Sequence, residues 1–160
     1  MHDALLSFCQ WLENTRFALA ISHSLWAYPF VQLIHFTGLS LWVGTIAITD
    51  LRFLGVAARR QPAGEFARQL VPWTWTGLCI AILGGGLLFS TSASLFFYNP
   101  AFRIKVPLLL TGIVCHYAFQ RKAPKWGGSE AIPPAAKVAA FFELLLWICV
   151  ITAAVEIPSH

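Results

Sequence analysis

A chain of 160 residues has the length of one domain, but 58% hydrophobic and only 11% charged residues, with a mean hydropathy of +0.67, exclude an ordinary soluble protein. The formal net charge of +4 is not arranged as a basic stripe interleaved with aromatics, which argues against a nucleic-acid partner. The composition predicts an all-α integral membrane protein, a four-helix bundle. Continuous apolar runs favour helices over a barrel, whose strands alternate over about ten residues.

Residues 1–27 mix apolar and polar groups and read as an interfacial amphipathic segment of one or two short helices, broken near Asn14-Thr15, with Trp11, Trp26 and Tyr28 at headgroup level. No Lys or Arg occurs in residues 1–15, so no secretory leader is expected there. The first span is 28–50, with Pro29 in its first turn, where a missing N–H costs nothing. The stretch GVAARRQPAGEFARQLVP, residues 55–72, is polar, basic and punctuated by Pro62, Gly64 and Pro72, and reads as a connection.

The second span, 71–97, holds Gly84, Gly85 and Gly86 near its centre, which lets a neighbouring backbone or a flat ligand approach closely. Asn99-Pro100 makes a tight turn into the third span, 102–120. The longer connection QRKAPKWGGSEAIPP leads to the fourth, 137–157. Each span approaches or exceeds the ~20 residues needed to cross the hydrocarbon of a bilayer.

Arg52, Arg59, Arg60 and Arg68 flank the first connection, and Arg121, Lys122, Lys125 and Lys137 flank the third, eight of the 11 basic residues. The positive-inside rule puts both connections in the cytoplasm of a bacterial inner membrane and both termini in the periplasm. Cys9, Cys79, Cys115 and Cys149 form no Cys-x-x-Cys pair, so neither a zinc site nor a c-type haem attachment is written here. The one Met is the initiator, which weighs against copper transport.

An ionisable group inside a span is a functional candidate by default. His35, His116 and Glu143 qualify, and Asp50 and Glu156 join them as lesser candidates. Asp50 and Arg52 lie at the expected membrane boundary, where a charge pair or a snorkelling arginine is ordinary, and Glu156 sits near a helix end. The familiar use of histidine in a helical bundle is axial ligation of haem b, which makes His35 and His116 the candidate metal ligands. On these boundaries they differ by about 12 Å in depth, too much for one haem. His116 fits better against Glu143, each satisfying the other in lipid. In a two-fold dimer, two His35 residues would share one depth. Gly38 and Gly85 would then clear a macrocycle, while Lys105, Arg103 or Arg52 would neutralise propionates or a quinone head. The bland alternatives are a histidine hydrogen-bonded to a neighbouring helix and glycines used for helix packing.

The stretch SLWAYPFVQLIHFTGLSLWVGTIAITDLRFLG, residues 24–55, resembles a group of small four-helix bacterial inner-membrane proteins of unknown function, through Trp26, Pro29, His35, Gly38, Gly44, Asp50, Arg52 and Gly55, with Pro72-Trp73 and Phe102 to Lys105 in support. Its His-x-x-Gly early in a span is also loosely similar to four-helix membrane cytochromes b and to copper-resistance D-like proteins, and that similarity implies haem. The leading expectation is a b-type haem protein in electron transfer, dimeric or within a larger membrane complex, with a quinone or another redox partner. The alternative is a small transporter or structural subunit in which His116 and Glu143 handle protons. No nucleophile–base constellation marks a stand-alone enzyme.

Overall fold

A computed structural model describes residues 2–126 and 132–155, with side chains from 4 to 126 and from 132 to 152. Glu156 lies outside the described residues. Among them, seven helices and no strand occur: α1 (His2–Glu13), α2 (Arg16–Ser22), α3 (Ala27–Phe53), α4 (Ala63–Thr91), α5 (Ala93–Tyr98), α6 (Pro100–Trp126) and α7 (Pro134–Val155). Four of these, α3, α4, α6 and α7, are long and apolar enough to cross a membrane. The chain is therefore an all-α membrane protein, and its spanning helices form a square in which α3 packs on α4, α4 on α6, α6 on α7 and α7 back on α3.

Local chemistry sets the helix ends. Thr15 caps α2 by accepting from the Ala18 N–H at 3.3 Å, which explains the break at Asn14-Thr15. Gly55, at φ +78, ends α3, and the Val56 N–H returns to the Leu51 carbonyl at 2.9 Å, the closure that a left-handed residue permits. Asn99 caps α6 through its side-chain oxygen, which accepts from Ala101 and Phe102 at 2.9 and 3.2 Å, and Pro100 follows in the first helical position.

The spans differ from their expected bounds. Half of the stretch 55–72 is helix, because α4 already begins at Ala63 and runs through Pro72. At its other end α4 stops at Thr91 rather than 97, where Ser92 leaves the helical region at φ −154 and ψ 40. Ser90 and Thr91 donate back to the Leu87 and Leu88 carbonyls at 2.6 and 2.7 Å, a competition with the backbone ladder that bends helices. The result is a separate α5, which α1 covers. Glu13 fastens that cover by accepting from Ser94 N–H at 2.6 Å and Ser94 Oγ at 3.0 Å.

The bundle has two unlike ends. One carries the α3–α4 and α6–α7 connections, and is called here the basic end. The other, the terminal end, carries α1, α2 and α5. Lipid accounts for the many apolar side chains left outside, such as Phe30 at 62%, Leu83 at 69% and Val114 at 67% exposure.

Candidate functional site

Along α3 the buried positions Trp42, Thr45, Ile46, Thr49, Asp50 and Phe53 recur every three or four residues and so line one face, turned into the bundle. Thr45 and Thr49 satisfy their hydroxyls on their own helix, at the Trp42 and Thr45 carbonyls. Asp50 is different. It is fully buried, and neither carboxyl oxygen has a hydrogen-bond partner among the described residues.

Facing it are two more ionisable groups. His116 on α6 and Glu143 on α7 pair through Nδ1 and Oε1 at 2.6 Å, each side chain 3% exposed. Among the described residues His116 Nε2 and Glu143 Oε2 are buried without partners, and the Asp50 carboxyl lies within electrostatic reach of Glu143. Trp75 of α4 stands beside the His116 ring, centroids 6.5 Å apart, and donates its indole N–H to Gln120 Oε1 at 2.9 Å. Four spanning helices thus meet at one polar layer, whose acid, acid and imidazole can take up, hold and pass a proton.

Apolar clusters bound it on both sides: Phe53, Phe119, Ala140, Ile46 and Trp147 lie about one helical turn from the polar groups of their helices, and Trp42 and Ala67 about two. Toward the basic end, Phe53 and Phe119 meet edge to face at 5.0 Å, in a cluster whose other buried members are Ala63, Ala67, Ala123, Ala136 and Ala140, with Leu54, Trp126 and Ile132 packed against it. Toward the terminal end, Trp42 and Trp147 meet edge to face at 4.5 Å, among Ile46, Leu78 and Val150. Gly112 admits the Trp147 ring, since a Cβ there would stand 3.0 Å from it.

His35 lies elsewhere. It is half-buried, and its Nδ1 meets the Ala81 carbonyl at 2.8 Å; with the proton on that nitrogen, Nε2 keeps a free lone pair. A Cβ on Gly85 would stand 2.9 Å from His35 Cε1, and one on Gly38 would stand 2.5 Å from Ala81 N. The space at both glycines is therefore occupied by the imidazole and by α4 itself, not left open for a macrocycle. Lys105, on α6, is near enough to His35 to act on it electrostatically. Because His35 packs at Gly84 and Gly85 while His116 packs at Trp75, the two histidines sit about 14 Å apart along α4. They cannot bind one iron from opposite faces. Among the described residues no group of three or more His, Cys, Asp or Glu could hold a metal ion.

A family model, described as a family of unknown function, DUF6644, matches residues 8–158. The chain belongs to that family. No curated protein and no solved structure matches it. In this DUF6644 member the pairing of His116 with Glu143 expected from depth is present, whereas the third member of the layer was placed elsewhere by sequence reasoning. Asp50 reads as a boundary charge beside Arg52, yet Arg52 turns to the Gln61 carbonyl, its Nε at 2.9 Å. The signal that locates Asp50 is the face it shares with Trp42, Ile46 and Phe53.

Proposed function

We propose that this protein handles protons within the membrane, as a small transporter or as a subunit of a larger membrane complex, with Asp50, His116 and Glu143 as the groups that bind them. The single observation in support is Asp50, buried without a partner beside a His–Glu pair. A carboxyl group in that setting is costly and is tolerated when it binds a proton, a cation or water. Two acids and an imidazole exchange protons readily, which makes a proton the simplest cargo. The basic connections favour a bacterial inner membrane with those connections in the cytoplasm and both termini in the periplasm.

The test is proton flux into liposomes that hold a pH-sensitive dye, driven by a potassium diffusion potential. Wild-type protein should carry flux above protein-free vesicles. Asp50→Asn and Glu143→Gln should each lower it at least about a hundredfold, the scale on which a positioned proton-transfer group acts. Wild-type rates in both variants, or no flux in the parent, would overturn the proposal.

A second reading rests on His35. Its tethered Nδ1 leaves Nε2 in the form that ligates iron, and Lys105 lies close enough to balance a propionate. Haem b, taken up by one His35 or between two protomers, would supply one-electron chemistry, and a quinone would be a suitable partner. A reduced-minus-oxidised difference spectrum of purified protein decides: a sharp band lost in His35→Ala supports this reading, and a featureless spectrum from haem-replete cells ends it.

A further inference from the structure

The carboxyl and imidazole groups of the polar layer are buried. Phe53 is 0% exposed, Phe119 4%, and Trp42 and Trp147 2% each, and buried apolar clusters surround these two pairs on either side of the layer. We infer that the two aromatic pairs are gates: Phe53 on Phe119 closes the layer from the basic end, Trp42 on Trp147 closes it from the terminal end, and the arrangement described is the occluded state between two opened ones. This deepens the proton-handling reading and rests on it.

The two closures are built differently. At the basic end the other buried members are alanines, with Leu54, Trp126 and Ile132 packed around them, so the Phe53–Phe119 pair supplies most of the bulk inside the buried cluster. This closure is also thin: five residues, about 7 Å of helix, separate Asp50 from the turn at Gly55. At the terminal end the closure is thicker, and it contains an anomaly. The Trp147 indole N–H is buried without a partner among the described residues, although a buried tryptophan ordinarily finds one. Trp147 stands one turn from Glu143 on the same face of α7, whose free Oε2 is an acceptor without a donor. A movement of the indole toward that oxygen would satisfy both atoms and uncouple the ring from Trp42. The unsatisfied pair marks the element with a second position to occupy.

Access to the layer is measurable without measuring flux. Thr49, 4% exposed, adjoins Asp50, and Thr49→Cys in a background with the four native cysteines replaced reports on it. The probe is a charged, membrane-impermeant methanethiosulfonate, added to one face or the other of sealed vesicles, with Ala58→Cys in the exposed loop as the reference. The parent Thr49→Cys should react at least about tenfold more slowly than the reference from either face, as for a site open only in a minor state. Phe53→Ala should restore reaction from the basic face alone, and Trp42→Ala from the terminal face alone. Phe119→Leu and Trp147→Phe, milder changes that retain bulk, should shift rates in the same directions. Free labelling of the parent, or acceleration from the wrong face or from both faces by a single truncation in protein that still elutes as one species, would overturn the gates. Unchanged flux in both Asp50→Asn and Glu143→Gln would end the proton reading and leave the gates standing, so the two failures are distinguishable.

Discussion

Asp50 and the His116–Glu143 pair obey different energetics, although they share one layer. The pair is mutually satisfied at one atom each, so removing one partner leaves the other buried and alone. That costs about 3–5 kcal/mol in comparable buried pairs, while replacing both by apolar residues is often neutral. His116→Ala should therefore lower unfolding stability in mixed detergent micelles strongly, and His116→Leu combined with Glu143→Leu should recover most of the loss. Asp50 has no hydrogen-bond partner among the described residues to lose. Asp50→Asn should leave stability unchanged or raise it while abolishing flux, the trade expected where a functional group is held in an unfavourable place. Thermal melts of the same preparations used for flux check both outcomes. A large loss of stability in Asp50→Asn would mean that the carboxyl group is structural.

The α3–α4 contact shows what the helices contribute. A Cβ on Gly38 would stand 2.5 Å from Ala81 N, and one on Gly77 would stand 2.6 Å from Trp42 N. Both obstacles are backbone, so the helices would have to move apart. Close approach of this kind is a main source of helix association in lipid, where apolar side chains gain nothing by leaving the solvent. Gly38→Ala and Gly77→Ala should each cost about 1–3 kcal/mol, the scale of overpacking. A methyl group added at Gly44 or Gly86 would meet nothing within 4 Å, and Gly44→Ala and Gly86→Ala should stabilise by about 0.5–1 kcal/mol through helix propensity alone. Four melts separate packing glycines from idle ones, which the run of glycines at 84–86 does not do by itself. The separation also bears on His35, because that side chain is seated against Gly84 and Gly85 and would be displaced by any movement of α4.

At the scale of the molecule, the bundle is a stack of layers along the membrane normal: a thin alanine and phenylalanine layer, a polar layer, a thicker layer with two tryptophans, and the short helices beyond. Charge follows the same axis, since Arg59 and Arg60 lie in the connection at one end and Arg16, Arg103 and Lys105 lie toward the other. A reporter pair fused after residue 160 should show a periplasmic terminus, with alkaline phosphatase active and green fluorescent protein dark. The opposite result would invert the orientation and with it the side on which the thin closure faces.

Membrane insertion, four spans and the clustering of Lys and Arg at alternate connections were legible in the amino-acid sequence, because each depends on composition summed over about twenty residues and on no partner. The pairing of His116 with Glu143 was legible too, since two costly groups at similar depth in lipid seek each other. Asp50 was not, because depth counted from the end of an apolar run places it at the boundary, whereas burial depends on how far α4, α6 and α7 extend beyond α3 at that end. The roles of Gly38 and Gly85, the break at Ser92 and the two aromatic closures were likewise decided only by tertiary structure. Each is a property of which helix faces which, and a periodic apolar sequence in a lipid solvent leaves that choice open until backbones pack.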